Sequence, residues 1–247
     1  MSNLSDMHIH IDYFKNYTQM FSSLDKNKIY ALFVTNLPEI FQKCRNEFPD
    51  SKYVKLGLGY NPQLAGNYKF NQNLFDEMLP FTKYIGEVGL DYSNEYVHTK
   101  KEQQRVFDYI CSQAARTKRI LSIHSRKAEE DVLAILLDNK VEYAVFHWFS
   151  GNKKLLSRII EQEYYFSVNY SMLTSKKGFD IIKSIPIDRL LIETDAPFGK
   201  AYLKGNPYNL PEIYHQFSNK LREEQFEEII YKNFSRLLLK QRDSLNE

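Results

Sequence analysis

Cysteine is almost absent from this 247-residue chain: only Cys44 and Cys111 occur. They sit far apart, in no metal-ligand or redox spacing, which excludes a disulfide framework and points to a reducing, cytoplasmic compartment. Glycine and proline are scarce too, at 9 and 8 residues. No Pro/Gly-rich linker, low-complexity tract or internal repeat divides the sequence. Neither sign of charge is in excess, since 33 Lys plus Arg face 31 Asp plus Glu for a net +2. That balance excludes a histone-like basic binder and leaves room for a local basic patch. No apolar run approaches the roughly 18 residues of a membrane span. The opening Met1-Ser2-Asn3-Leu4-Ser5-Asp6 lacks the basic and apolar regions of a signal peptide, so no membrane partner is expected.

What the chain does have is material for a core, with 43% hydrophobic and 26% charged residues. Such a composition argues against disorder. Eight short β-branched or aliphatic runs recur, at 7–11, 29–35, 53–59, 84–88, 120–124, 143–147, 164–168 and 189–193. Longer segments of helical period separate them. The clearest covers 101–117, where Val106, Ile110 and Ala114 recur beside Phe107, Cys111 and Ala115. Eight alternations of strand and helix predict an α/β fold, a (β/α)8 TIM barrel, as a single domain over 1–247. A helix pair near 210–221 and 223–240 is predicted to end it, and the stripe Phe226, Ile229, Ile230, Phe234 and Leu237 is predicted to pack on the barrel.

Four of the six histidines and two carboxylates fall at or beside predicted strand ends: His8, His10, Glu87, His124, His147 and Asp195. Side chains alternate along a strand, so His8 and His10 point the same way. Imidazole and carboxylate together suit Zn²⁺, Mn²⁺ or Fe²⁺, and barrel active sites lie at the C-terminal strand ends. One strand-end histidine is usually a hydrogen-bonding group of the scaffold. Six donors gathered at one barrel mouth point to a metal centre instead.

These residues also carry a resemblance. Asp6-Met7-His8-Ile9-His10 resembles the opening D-x-H-x-H of the TatD family of metal-dependent hydrolases, in the amidohydrolase superfamily. Ile85-Gly86-Glu87-Val88-Gly89-Leu90-Asp91-Tyr92 is similar to its G-E-x-G-L-D-Y segment, and Ile123-His124-Ser125-Arg126-Lys127-Ala128 to its I-H-S-R-x-A. His147-Trp148-Phe149-Ser150-Gly151 is similar to H-x-F-S-G, and Glu193-Thr194-Asp195-Ala196-Pro197-Phe198 to E-T-D-A-P-Y/F. The resemblance implies two divalent ions, Mg²⁺, Mn²⁺ or Zn²⁺. One would be held by His8, His10, Glu87 and Asp195, the other by His124 and His147, with Glu87 bridging. It implies that Asp195 orients the attacking water and accepts its proton.

One segment departs from the pattern. Where the family has G-I-H-P-H, this chain has Gly59-Tyr60-Asn61-Pro62-Gln63. The amides keep hydrogen-bonding capacity but neither titrate nor bind metals strongly, so Asn61 and Gln63 are expected to face substrate. The departure suggests a divergent branch, similar to the TatD-like components of Qat anti-phage defence systems, with other subunits of a defence operon as partners.

Basic and aromatic residues follow the later strands: Arg126 and Lys127, Lys153 and Lys154, Lys176 and Lys177, Lys200 and Lys204, with Trp148, Phe149, Tyr170, Phe198 and Tyr202 interleaved. Ringing the mouth, they would suit a phosphate backbone with splayed bases. Arg126, two residues beyond a proposed ligand, is the candidate to hold a phosphate oxygen, with Trp148, Lys200 and Lys204 as further contacts. His98 and His215 match no motif and are expected on the surface, and Gly205-Asn206-Pro207 is expected to be a turn. The expected function is a metal-dependent phosphodiesterase, a DNase acting on DNA ends or single strands. Its rivals are a hydrolase of a small amide, ester or lactone, and an assembly subunit whose metal site is vestigial.

Overall fold

In the computed structural model, which describes residues 4–198 and 209–245, eight parallel strands follow one another around a cylinder. They are β1 (Ser5–His10), β2 (Tyr30–Val34), β3 (Val54–Gly57), β4 (Tyr84–Gly89), β5 (Ile120–His124), β6 (Ala144–His147), β7 (Tyr165–Val168) and β8 (Leu190–Ile192). Ladders join β1 to β3 and β4 to β8. Single bridges, Leu58 to Ile85 and Ile9 to Ala196, close the two gaps. The predicted barrel is therefore present, with β3 shorter than the run 53–59 suggested. Past Gly57 the chain pairs with β4 instead, through Leu58 N to Tyr84 O at 3.0 Å and Tyr60 N to Glu87 O at 2.9 Å. Gly59 is required there, since a Cβ would stand 1.7 Å from Thr35 O.

The helices are α1 (Tyr17–Lys26), α2 (Pro38–Glu47), α3 (Gln72–Met78), α4 (Lys100–Thr117), α5 (Glu129–Asp138), α6 (Lys153–Glu161), α7 (Tyr170–Thr174), α8 (Lys176–Ser184), α9 (Leu210–Leu221) and α10 (Phe226–Ser244). Their starts are written in the sequence: Asn152, Asn169, Ser175 and Asn209 each accept a backbone N–H of the first turn. The apolar stripe of α4 buries Val106, Phe107, Ile110, Cys111 and Ala114. Each large side chain so buried contributes about 1.5–3 kcal/mol.

Helix α10 closes the end of the barrel opposite the site. Phe234 and Leu237 join a buried cluster with Met7, Leu32, Ile120, Val145, Tyr165 and Leu191. Its amides cap strand-start carbonyls: Asn233 donates to Leu190 O at 2.9 Å, and Gln241 to Lys83 O at 3.0 Å and Lys118 O at 2.8 Å. The predicted stripe thus packs inward at Phe226, Ile230, Phe234 and Leu237. Among the described residues no helix is long and apolar enough to cross a membrane.

Candidate metal centre

Two irregularities in strand pairing aim the central side chains. The register of β1 against β2 slips between Asp6 and Ile9, and that of β4 against β5 slips between Ile85 and Val88. Bulges of this kind redirect side chains beside sites. His8 and His10 leave β1, and Glu87 leaves β4, all buried in the barrel mouth. At the end of β4, Gly89 adopts φ +136°, and a Cβ there would lie 2.0 Å from His124 O. Only glycine lets β4 approach β5 this closely.

Glu87 stands at the middle of the group. Its Oε2 lies 3.4 Å from His10 Nε2, while Oε1 lies 2.8 Å from His124 Nδ1 and 3.4 Å from His147 Nε2. Asp195 Oδ1 lies 3.3 Å from His10 Nε2 and 3.9 Å from His8 Nε2. Two sets of three donors come close enough to hold an ion: His8, Glu87 and His147, and His8, His10 and Asp195. These sets hold five of the six residues singled out in the sequence, and the sixth, His124, joins them through its 2.8 Å contact with Glu87.

The donor set fits cations better than it fits itself. His8 Nε2 and His10 Nε2 face each other at 3.3 Å, as do His147 Nε2 and His124 Nδ1 at 3.4 Å. Each pair can be joined by one ring's N–H or by a cation lying between the two nitrogens. Asp195 Oδ1 and His10 Nδ1 are buried with no hydrogen-bond partner among the described residues. Asp195 also adopts φ +52° and Trp148, next to His147, φ +40°. Non-glycine residues in this region are uncommon, and such strain concentrates at functional sites.

Electrostatics follow from burial and crowding. Burial and the neighbouring His147 and His10 hold His8 well below the ordinary histidine value. For His10, His124 and His147 burial acts downward as well, but carboxylates prevail and all three are raised. Glu87 and Asp195 act on His10, Asp91 and Glu87 on His124, Glu193 and Glu87 on His147. Burial would raise Glu87, yet the three imidazoles hold it well below the carboxylate range.

Several participants were not singled out from the sequence. Asp91 Oδ2 lies 2.9 Å from His124 Nε2, Glu193 Oε1 lies 3.5 Å from His147 Nδ1, and Ser122 Oγ lies 2.7 Å from His8 Nδ1. Such partners orient imidazoles and decide which nitrogen stays free. Asp91 and Glu193 do stand inside the quoted motifs, but nothing in a linear pattern says which imidazole each will meet. Asp6 locks β1 to the chain after β8, accepting from Thr194 N at 2.9 Å and Thr194 Oγ1 at 2.6 Å. Burial pushes its carboxyl up to about 7.

A cleft of about 590 Å³ opens over the centre. Arg126 and Trp148 line it, together with Tyr13, Tyr96 and Phe198. Arg126 forms no ion pair among the described residues and is exposed. Asn61 and Gln63 also line the cleft, but their N–H groups are committed inward: Asn61 donates to Glu87 Oε2 at 2.7 Å and Gln63 to Asp91 Oδ2 at 2.9 Å.

The expected basic ring is thinner than the sequence suggested. Lys153, Lys154 and Lys176 sit exposed at helix starts and do not line the cleft, and Lys177 binds Ser150 O at the rim at 2.7 Å. Phe149 is buried in the core. Lys200, Lys204, Tyr202 and the 205–207 turn lie outside the described residues. His98 and His215 are exposed, as expected.

A parallel barrel with buried imidazoles and carboxylates gathered at its C-terminal mouth defines the class: a TIM barrel carrying a candidate metal centre. The family profile described as TatD related DNase matches residues 5–239, and the chain belongs to that family. The human 3'-5' RNA nuclease TATDN2 is 27% identical over 219 residues, covering 78% of this chain and 28% of that protein. Deoxyribonuclease Tat-D of Schizosaccharomyces pombe is 34% identical over 117 residues, covering 46% and 38%. The uncharacterized metal-dependent hydrolase YabD of Bacillus subtilis is 33% identical over 152 residues, 59% of each chain. The matches thus span well under half the length of the first two relatives. Among solved structures, the TatD homolog YjjV of Escherichia coli superposes with TM-score 0.82 at 20% identity, covering 96% of this chain and 98% of that one. An uncharacterized amidohydrolase from Saccharomyces cerevisiae gives 0.73 at 17% identity, covering 95% and 99%. At these identities the likeness establishes the fold.

Proposed function

We propose that the chain is a phosphodiesterase using two divalent ions, Mg²⁺, Mn²⁺ or Zn²⁺, and that it removes nucleotides from DNA ends or single strands. The observation that carries this reading is Glu87, whose two oxygens face two different sets of histidines. His8, His10 and Asp195 would hold one ion with Glu87, and His124 and His147 the other. Bound there, the ions supply Lewis acidity toward a phosphoryl oxygen and a water that ionises near neutral pH.

The chain's own residues supply the rest. Asp195, whose Oδ1 accepts no hydrogen bond among the described residues, orients the attacking water at the cleft floor and takes its proton. Arg126 holds a non-bridging phosphate oxygen, where its fixed charge counts most as negative charge grows. Trp148, Tyr13 and Phe198 offer ring faces to bases freed from a duplex, which favours frayed ends and single strands. The nuclease names among the relatives support a nucleic-acid substrate. The reading takes 1–247 as one catalytic unit working in the cytoplasm, where its two buried free cysteines suit a reducing setting. The defence-operon expectation draws no support from these comparisons.

One observation favours the small-substrate hydrolase as a second reading: Arg126 is the one Lys or Arg lining the cleft among the described residues. Incubating the metal-loaded chain with end-labelled single- and double-stranded DNA and RNA separates the two. Stepwise shortening of DNA supports the proposal. RNA degraded in preference to DNA would change the substrate, and intact nucleic acids would favour the second reading.

A further inference from the structure

The amides of Asn61 and Gln63 line the cleft, yet each points its N–H group at a carboxylate beneath it. Gln63 Nε2 donates to Asp91 Oδ2 at 2.9 Å, and the same oxygen lies 2.9 Å from His124 Nε2. Asp91 is fully buried and held from every side. Its Oδ1 accepts from Ser93 N at 2.8 Å, its own N–H donates to Gln103 Oε1 at 2.7 Å, and its carbonyl accepts from Gln103 Nε2 at 3.0 Å. With Nε2 committed to Asp91, the other ring nitrogen of His124, Nδ1, is turned to Glu87 Oε1 at 2.8 Å. The second oxygen of Glu87 accepts from Asn61 at 2.7 Å, and Asn61 Oδ1 accepts from Gln63 N at 2.9 Å. Asn61, Glu87, His124, Asp91 and Gln63 therefore form a closed ring of hydrogen bonds.

We propose that Gln63 is a positioning residue and not a substrate contact: through Asp91 it fixes the His124 ring with Nδ1 toward Glu87, and so sets the affinity of the ion position that His124, His147 and Glu87 share. The inference rests on the two-ion reading above. An amide suits the task because it is an uncharged donor that keeps its protons at every working pH. It adds no positive charge to compete with an ion for the carboxylates. Partners one step removed from a ligand characteristically change ion affinity by about 10–100-fold.

The test uses the metal-stripped full chain and Zn²⁺. Calorimetric titration of the parent should show two ions. Gln63→Leu, which removes the donor, and Gln63→Glu, which keeps the shape but lacks the N–H groups, should bind the first ion as the parent does and the second about tenfold or more weakly. On a single-stranded oligonucleotide at limiting Zn²⁺ both should lower kcat with KM unchanged. Gln63→His, which can donate from a ring nitrogen, should restore both properties. In ¹H–¹⁵N spectra, the His124 Nε2–H resonance should be protected from exchange in the parent and in Gln63→His, and lost by exchange in the other two. A raised KM with unchanged second-ion affinity and unchanged His124 resonance would overturn the proposal, since Gln63 would then touch substrate. A parent that binds a single ion would defeat the two-ion reading, while the His124 resonance would still decide the positioning role. Should Gln63→Leu unfold, Gln63→Ala supplies the same readouts.

Discussion

Glu87 turns Oε2 toward His10 and Oε1 toward His124, at 3.4 and 2.8 Å, so that one carboxylate spans both halves of the histidine cluster. Removing its charge should strike both halves together. Glu87→Gln keeps the side chain's volume and its place in the barrel, and is expected to lower hydrolysis at least a hundredfold while the melting transition stays cooperative. This follows from the several kcal/mol that charge placed at a reacting centre contributes. Parental turnover in the variant, with the same ions present, would show that Glu87 is not the shared ligand.

Ion binding should depend on pH in a defined direction. Carboxylates hold His10, His124 and His147 protonated to higher pH than a free histidine, against the downward push of burial. An ion must displace those protons. Affinity should therefore rise with pH through the neutral range, and each ion bound should release protons, measurable as a buffer-dependent calorimetric heat. The metal-free protein should behave oppositely. Raised histidines contribute their full stability below the unfolded value of about 6.5 and lose it as pH climbs through the folded value. An ion affinity that is flat across the neutral range would contradict the proposed ligand set.

Asp6 ties the first strand to the turn that carries Asp195. Its two oxygens satisfy Thr194 N and Thr194 Oγ1, so Asp6→Ala leaves both donors buried without a partner. The expected loss is about 2–4 kcal/mol in urea unfolding, together with weaker ion binding from the loosened Asp195 turn. Asp6→Asn keeps one acceptor and should cost less.

Arg126 reaches the cleft from the turn after β5 and makes no ion pair among the described residues. Arg126→Ala should lower kcat more than it raises KM, because a guanidinium beside the reacting phosphate acts chiefly on charge that develops there. Arg126→Lys should recover part of the loss. An effect confined to KM would make Arg126 a plain docking contact.

The barrel was legible because its strands are short β-branched runs between segments of helical period, and β5 falls on the predicted 120–124. The six central residues were legible because they stand at strand ends. What the sequence hid depends on packing. Asp91 and Glu193 lie within the motif strings, but their imidazole partners are set by how β4 meets β5 and by how β7 spaces the end of β8 from β6. The bulges in β1 and β4 leave no mark in the alternation of residue types. The lysines misled for the opposite reason: residues at a helix start look alike in sequence whether they face the cleft or open solvent, and Lys153, Lys154 and Lys176 face away. Asn61 and Gln63 were expected to meet substrate, and their donors turned inward to carboxylates.

Anomalous diffraction from crystals grown with saturating Mn²⁺ or Zn²⁺ tests the two-ion centre most directly. The account predicts two peaks about 4 Å apart, with Glu87 between them, His8, His10 and Asp195 around one, and His124 and His147 around the other. A single fully occupied ion, with His124 and His147 turned away from it, would contradict the account.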